Sequence, residues 1–524
     1  MSKVVPIDEA IATIEDDDTV GAVGVLAWLS PDALFSALEQ RFLATGGPRR
    51  LSFFLPVFSG DAMRIGGFDR VAHAGLLKRV VSGSFLNPRH PDTGERPATM
   101  RLIAAGEVEA YAWPIGATMH WLREVARRSP GYLTKVGLDT YADPLMEGSR
   151  VSPTGPPLVE RVEFKGETYL FYPSWDLDVA LLRATSADEH GNLGFEREPL
   201  VSSSLEMALA TKASGGRVIA QVERIVAAGR PAREIAVPGS VVDMVVTVPE
   251  PLMTTESPFD AAYTGGGPEV LGMLPPMTPG ADRVIARRAA REVRPGVVSI
   301  FGFGASADIP LALVESGALT EATFYDYLMT TEHGVHGGVV MSGWSFSANV
   351  GPSALIGGAA QFDYIDGGNC AFAALAFAEI DAQGRANVSR FGSAHPGAGG
   401  YTDIAENARE LILTGTFSTG GLEVTEGPGL TIVREGTTPK LVERVDQVTY
   451  DLRRGVVERG QRVLIVTERA VFRVEREGLV LAEIAPGVDL EKDILGAMRF
   501  RPAGIDDPLP RMDAALFGSM EEAA

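Results

Sequence analysis

One order of elements occurs twice in this 524-residue sequence, once from residue 7 and once from residue 284. In each place a helical pattern ends at a stop signal, an apolar strand follows, a glycine-containing turn comes next, and a proline opens another helix. The stop signals are Asp16-Asp17-Asp18 in the first copy and Pro295-Gly296 in the second. Strands that alternate with helices favour parallel sheets covered by helices. The recurrence therefore predicts two related open α/β domains with largely parallel sheets.

The segment 247–280 separates the two copies and is rich in proline, glycine, methionine and threonine. Such a composition is typical of a linker. A chain of this length also exceeds what one hydrophobic core normally holds. We therefore expect a first domain at residues 1–275 and a second domain at residues 281–524.

Charge and composition exclude several classes of protein. A net charge of −21 argues against nucleic acid or an anionic membrane as a partner. We find no run of about 18 apolar residues that would predict a membrane span. The first residues lack the features of a secretion signal or a transit peptide, so we expect a cytoplasmic protein. The single cysteine, Cys370, excludes an internal disulfide and a zinc site built from cysteines.

Glu332 stands where a carboxylate would have little side-chain cover. The segment 322–330 before it mixes aromatic, threonine and apolar residues and predicts a strand, and three glycines lie within the next six positions. Open α/β sheets present ligand sites at the carboxyl ends of strands, and ligands approach a backbone closely where there is no Cβ. A carboxylate there can attack an activated acyl group and hold it covalently. Glu332 is our candidate nucleophile, and the alternative is an acidic residue that solvates a turn.

Many segments, taken in order over nearly the whole chain, resemble the family I coenzyme A transferases. The most similar branch is the single-chain acetate/acetoacetate (3-oxoacid) and propionate CoA-transferases. In the first half these segments are 75–80, 133–138, 178–183, 188–192 and 218–222. In the second half they are Glu332-x-Gly334, 361–368, 397–400 and 467–472.

The resemblance implies that Glu332 is the family's catalytic glutamate, which forms a thioester with coenzyme A (CoA). It implies that residues beside the CoA are Gly302, Phe303, Gly304 and Ala305, and that the oxyanion hole is formed by the loop of Gly399 and Gly400. CoA would be a co-substrate rather than a permanently bound cofactor, and the substrates would be an acyl-CoA and a carboxylic acid. The resemblance also implies a homodimer or homotetramer and a role in ketone body or short-chain fatty acid metabolism.

Three segments depart from the family pattern. Ile115 stands where the family commonly has a glutamine beside the acyl group, Trp28 lies in a turn that usually holds smaller residues, and 367–371 lacks a third glycine. We therefore predict an apolar substrate pocket, lined by Trp28, Trp113, Ile115 and His333. Such a pocket favours a larger or less polar acyl group than acetate. The alternative is that Trp28, Trp113 and Ile115 are ordinary core residues.

Histidines near Glu332 raise the question of a metal. His333 and His336 are three residues apart, but they lie in a glycine-rich turn rather than on one helix face, and no further ligand is obvious. We therefore expect no metal site. Cys370 is expected to be a small buried residue rather than a nucleophile.

Two other functions stay open from the sequence. An acyl-CoA hydrolase on the same fold would use water as the acceptor, and one changed residue near Glu332 would be enough to admit water. A non-catalytic acyl-CoA-binding protein would have no need of the nucleophile. The sequence therefore predicts an acyl-CoA:carboxylate CoA-transferase as the leading function.

Overall fold

A computed structural model describes residues 2–86, 89–255, 257–392 and 394–518. The strands of the first half are β1 (Thr19–Ala22), β2 (Leu51–Leu55), β3 (Leu77–Ser82), β4 (Glu109–Ala112), β5 (Gly131–Thr134), β6 (Glu160–Phe164), β7 (Glu167–Pro173), β8 (Val179–Ala187), β9 (Leu193–Gly194), β10 (Arg217–Ile225) and β11 (Met244–Thr247).

The strands of the second half are β12 (Val298–Phe301), β13 (Leu328–Thr330), β14 (Val335–His336), β15 (Val339–Val340), β16 (Asn349–Val350), β17 (Ala354–Leu355), β18 (Phe372–Ala376), β19 (Glu379–Asp381), β20 (Arg385–Asn387), β21 (Glu410–Thr414), β22 (Ser418–Thr419), β23 (Glu423–Glu426), β24 (Leu430–Arg434), β25 (Thr438–Pro439), β26 (Leu441–Val442), β27 (Tyr450–Asp451), β28 (Arg462–Val466), β29 (Ala470–Glu475), β30 (Gly478–Ile484) and β31 (Gly504–Ile505).

The α-helices are α1 (Ile7–Ala12), α2 (Asp32–Thr45), α3 (Ala98–Ala104), α4 (Ile115–Ala126), α5 (Ser204–Ala213), α6 (Ala281–Ala290), α7 (Ile309–Glu315), α8 (Gly358–Asp366), α9 (Tyr401–Asn407) and α10 (Leu452–Arg459). Within the described residues, no helix is both long enough and apolar enough to cross a membrane.

The main sheet of the first half is parallel along its whole path. Its strand order is β11-β10-β8-β1-β2-β3-β4, and each neighbouring pair is parallel, while β9 pairs antiparallel with β8 beside this path. Every residue of β8 is buried. Parallel strands are usually covered on both faces, and the one charged residue of β8, Arg183, is paired with the buried Glu198.

The main sheet of the second half is parallel in its centre, has antiparallel pairs on both sides of that centre, and ends at one edge in a parallel pair, β30 with β31. Its order is β17-β14-β13-β12-β18-β21-β28-β29-β30-β31, and the strands from β13 to β28 are parallel. β28 and β29 are joined by only three residues, 467–469. So short a connection permits an antiparallel pair and no parallel crossover.

The two sheets share one arrangement of strands. In each half the first strand, β1 or β12, lies between the second strand (β2 or β13) and a later strand (β8 or β18). The prediction of two α/β halves with largely parallel sheets is confirmed. The first main sheet ends at Thr247 and the second begins at Val298. The domain limits 1–275 and 281–524 stay a prediction.

The pairing of β12 with β13 places two candidate site segments next to each other at the carboxyl ends of these strands. The strands are parallel, with Ile300 opposite Thr330, so the turns after them start at the same level. These turns hold Gly302 and Glu332, respectively. The strand before Glu332 is shorter than predicted, since a 3-10 turn at Phe324–Asp326 replaces its first part.

Candidate active site

The turn that carries Glu332 is held by a buried glutamine. Gln361 lies in α8 and is fully buried. Its Nε2 donates to the carbonyl oxygen of Thr331 over 2.8 Å and to Oγ1 of Thr330 over 3.1 Å, and its Oε1 lies 2.8 Å from Nε2 of His336. Gln361 therefore fixes the turn on both sides of Glu332. Gln361 begins the segment 361–368 that resembles the CoA-transferase family, but the sequence did not indicate that its side chain holds this turn.

Gly334 lets the chain reverse directly after Glu332. Its φ is +91°, and a Cβ at this position would lie 2.1 Å from the carbonyl oxygen of Ile356. The backbone N–H of Ile356 also donates a hydrogen bond of 2.8 Å to the carbonyl oxygen of Gly334. Both the positive φ and the close backbone approach demand glycine.

The two carboxylate oxygens of Glu332 have different neighbours. Oε2 accepts a hydrogen bond of 3.1 Å from the backbone N–H of Gly400. Oε1 lies 3.3 Å from Nε2 of His333. The Glu332 side chain is 17% exposed, so an incoming substrate has access to it, whereas His333 is 1% exposed. A Cβ on Gly400 would lie 2.1 Å from Oε2, so the close approach requires glycine.

The loop that ends at Gly400 is bound to the first half of the chain. Gly399 has a φ of +61°, accepts a hydrogen bond of 3.0 Å from Ile115 N, and donates one of 3.2 Å to Gly83 O. Phe85 N also donates to Pro396 O over 2.7 Å. The second half thus carries both Glu332 and the Gly400 donor, while the first half helps to position that donor.

Of the residues predicted to line the pocket, Ile115 lies beside this loop. It is the first residue of α4 and is 1% exposed. Its Cγ1 would lie 2.5 Å from a Cβ on Gly83, and its Cδ1 would lie 3.8 Å from a Cβ on Gly399. Ile115 therefore packs between the two glycines that fix the loop.

A buried acid sits next to Ile115. The N–H of Gly116 donates to Oδ2 of Asp403 over 3.3 Å, and Asp403 is 1% exposed. Burial, with a further contribution from the charge of Asp366, raises the pKa of Asp403 well above its usual range. A Cβ on Gly116 would lie 2.1 Å from Oδ1 of Asp403, so α4 and α9 meet at close range. Sequence reasoning missed this contact between residues 287 positions apart.

The two tryptophans predicted for the pocket are both fully buried and have packing partners of their own. Trp113 is fully buried in an aromatic cluster of the first half, where its ring contacts Phe54, Trp121, Tyr172 and Trp175. Trp28 is also fully buried, and its Nε1 donates to the carbonyl oxygen of Phe346 over 2.9 Å, which joins the two halves. The structure brings Glu332, His333, Gly399, Gly400 and Ile115 together, and it gives both tryptophans packing partners outside this group.

The segment predicted to lie beside CoA follows β12 directly. Gly304 has a φ of +84° and opens a 3-10 helix at Gly304–Asp308, and Ala305 within it is buried. Phe303 is 59% exposed, although its ring makes an edge contact of 5.5 Å with Phe346. An exposed aromatic side chain at the carboxyl end of a parallel strand is suited to contact a ligand.

The described part of the chain holds no group of three or more His, Cys, Asp or Glu side chains arranged to bind a metal ion. His336 is committed to Gln361 instead. Cys370 is 2% exposed, and burial raises the pKa of its thiol to about 12. A thiol in that state is a poor nucleophile.

Comparison with known proteins identifies the family. Residues 4–247 match the family described as Coenzyme A transferase. The chain is 35% identical to the caffeate CoA-transferase of Acetobacterium woodii, over 99% of this chain and 98% of that protein. It is 33% identical to the acetate CoA-transferase YdiF of Escherichia coli K12, over 98% and 95% of the two chains.

A solved structure extends the comparison to the fold. The crystal structure of the acyl-CoA transferase YdiF from E. coli O157:H7, in a thioester complex with CoA, matches with a TM-score of 0.88 and 32% identity. The match covers 99% of this chain and 96% of that one. Full-length relatives of this similarity share both a fold and a type of reaction, and the chain is therefore an enzyme that belongs to the coenzyme A transferase family.

Proposed function

We propose that this enzyme moves CoA from an acyl-CoA to a free carboxylic acid through a thioester between CoA and Glu332. The observation that carries the proposal is the contact between the Glu332 carboxylate and the N–H of Gly400, at 3.1 Å. It lies at the carboxyl ends of β12 and β13, where an open α/β sheet receives its ligand. The accessible carboxylate and the fixed donor supply a nucleophile and an oxyanion site in one place.

The reaction proceeds in two symmetrical halves. The Glu332 carboxylate attacks the thioester carbonyl of the donor, the C–S bond breaks, and CoA leaves as a thiolate with the electron pair. The thiolate then attacks Cδ of Glu332 in the mixed anhydride, forms the enzyme–CoA thioester and releases the donor acid. An acceptor carboxylate reverses both steps and leaves as a new acyl-CoA.

The N–H of Gly400 assists every step in which negative charge develops on Oε2. We assign Oε2 as the oxygen that stays on Glu332, since Gly400 holds it in the resting site and leaves Oε1 to attack the acyl carbon. A backbone donor that is already oriented stabilises a developing oxyanion without reorganisation at the moment of reaction. The two hydrogen bonds of Gly399 to the first half keep this donor in position.

The acyl side of the site is apolar at Ile115. Its buried side chain packs against the loop of Gly399 and Gly400, where a glutamine would offer a hydrogen bond to a small polar acid. We infer a preference for acyl groups larger or less polar than acetate. A role of Trp28 and Trp113 in the pocket stays a prediction, and the inference about Ile115 does not depend on it.

The CoA side of the site is supported by the segment 302–305. Phe303 exposes its ring at the edge where Glu332 lies, and Gly304 takes a conformation that favours glycine. Contacts with the remote part of CoA contribute binding energy that helps the reacting atoms to meet. Cover from the bound CoA would also keep water from the thioester.

The test is to incubate the enzyme with acetyl-CoA, butanoyl-CoA or cinnamoyl-CoA in the absence of an acceptor and to record the intact mass. A CoA-sized adduct that maps to Glu332 and is discharged by an added carboxylate is the expected result. Glu332→Ala should form no adduct. Glu189→Ala serves as the matched control, since Glu189 has a side chain that is 62% exposed, and it should behave like the wild type.

Two results would overturn the proposal. Loss of acyl-CoA to water without an adduct on Glu332 would identify a hydrolase. No adduct and no loss of any of the three acyl-CoAs would indicate a protein that only binds them.

A further inference from the structure

His333 is a buried histidine whose ring nitrogens are unpaired. Its side chain is 1% exposed, and neither Nδ1 nor Nε2 has a hydrogen-bond partner of acceptable geometry among the described residues. His336, three residues later, is paired with Gln361 at 2.8 Å. Buried polar atoms are nearly always hydrogen bonded, and a catalytic role is one of the explanations for an exception.

The unpaired Nε2 atom of His333 faces the reacting carboxylate. It lies 3.3 Å from Oε1 of Glu332, whereas the other oxygen, Oε2, is bonded to Gly400. The two oxygens are therefore distinguished before any substrate binds. Catalytic hydrogen bonds are often long or poorly aligned in a resting site and tighten in the transition state.

We propose that His333 is a catalytic residue that donates the N–H at Nε2 to Oε1 as this oxygen leaves Glu332. The inference rests on the proposed function and assigns a donor to the second oxygen. A neutral imidazole carries one N–H, which suits this single bond. The proton stays on Nε2 throughout, so His333 lowers the energy of the charge on Oε1 without transferring a proton.

The bonds that form and break in the attack of the CoA thiolate on the mixed anhydride define the role of His333. In the mixed anhydride, Oε1 bridges the acyl carbon and Cδ of Glu332. When the CoA thiolate attacks Cδ, the S–Cδ bond forms and the Cδ–Oε1 bond breaks. The electron pair stays on Oε1, which departs as one oxygen of the released carboxylate. Gly400 meanwhile holds Oε2, the oxygen that becomes the thioester carbonyl.

A donor on the departing oxygen matters most when the released acid is weak. A more basic carboxylate carries its charge less readily, so it depends more on the hydrogen bond. Loss of the donor should therefore slow thioester formation most for acids of high pKa. A residue that only supports the fold would instead change the rates for all acids by one factor.

The experiment measures single-turnover formation of the Glu332 thioester from acetyl-, methoxyacetyl- and fluoroacetyl-CoA, whose acids have decreasing pKa, and compares each variant with the wild type on the same acyl-CoA. We expect His333→Leu to slow the acetyl reaction by about a hundredfold, the typical loss for one donor to a developing charge, and the fluoroacetyl reaction far less. His333→Gln places an amide N–H near the position of Nε2 and should recover most of the rate.

Two further variants complete the test. His333→Asn keeps a polar side chain but is too short to reach Oε1, so it should show the same dependence as His333→Leu and serves if the leucine variant fails to fold. His336→Gln is the matched control in the same turn and should slow all three acyl-CoAs equally.

Equal slowing of all three acyl-CoAs in both His333→Leu and His333→Asn would overturn this inference, and so would unchanged rates. The thioester on Glu332 would still form in either case, and the proposed function would stand. Absence of the thioester in the wild type is the separate result that overturns the proposed function itself.

Discussion

Replacing Gly400 with alanine tests the close approach between the reacting oxygen of Glu332 and the backbone N–H of Gly400. Gly400 has a φ of −84°, which alanine adopts without strain. The added Cβ would lie 2.1 Å from Oε2 of Glu332, 3.2 Å from its Cδ and 3.4 Å from Cζ of Phe362. The clash therefore falls on the reacting oxygen, which has to move by about 1 Å to restore an ordinary contact.

The expected loss follows from that displacement. A shift of about 1 Å costs about a hundredfold in rate, and loss of one oxyanion donor costs about a hundredfold to a thousandfold. We expect Gly400→Ala to lower kcat/KM by about 10²–10³, which corresponds to about 3–4 kcal/mol of transition-state stabilisation. The free energy of unfolding should change by less than about 1 kcal/mol, because the backbone conformation is compatible with alanine.

The assay measures the rate of thioester formation by quenching the reaction at set times and recording the intact mass. Unfolding in urea gives the stability of the same variants. Gly272→Ala is the matched control, since a Cβ there meets nothing within 4 Å and its φ is not positive. It should match the wild type in both measurements. The reasoning would be refuted if Gly400→Ala formed the thioester within about threefold of the wild-type rate, or if its activity fell only in step with its stability.

Three further predictions concern His395, Ile115 and Cys370. Burial and the charge of Arg390 lower the pKa of His395 from 6.5 to about 4. The neutral form is thus favoured in the folded state, and stability should fall as the pH drops from about 6.5 towards 4, by about 2 kcal/mol at pH 5. Urea unfolding at pH 7 and pH 5 should show this loss in the wild type but not in His395→Gln, and equal losses would refute it. Ile115→Gln should raise the ratio of acetate to butanoate turnover by about tenfold, whereas an unchanged ratio would remove Ile115 from the specificity argument. Cys370 should resist iodoacetamide at pH 8 in the native enzyme and react after denaturation, because burial raises the pKa of its thiol to about 12, and rapid native alkylation would contradict that burial.

The overall fold could be predicted because its signals are local. Each main strand is a short apolar run with a helix and a turn signal beside it, and alternation of strands and helices specifies parallel pairing. Errors arose where local signals compete. The aromatic segment before Glu332 suited a strand, but Phe324–Asp326 form a 3-10 turn.

The candidate site was harder to predict from the sequence than the fold, because the contacts that build it join residues far apart in the chain. The glycines after Glu332 predicted an open turn from their conformational freedom alone. Nothing local indicates that Gln361 would clamp this turn or that Asp403 would reach Gly116. Trp113 shows the same limit, since a large apolar ring suits a substrate pocket and a core equally well until its neighbours are known.

The loop before Gly400 is hydrogen bonded to Gly83, Phe85 and Ile115 of the first half. The two halves of this single chain therefore cooperate in one site, as two different subunits of a heterodimer would. One half supplies the nucleophile, and the other half supplies the backbone anchors of its oxyanion donor. Continuity of the chain between 247 and 280 is not itself part of the chemistry. If the chain were cut there, neither fragment alone should have CoA-transferase activity. Activity should return on mixing with second-order kinetics, so that turnover would report the affinity of the two halves for each other.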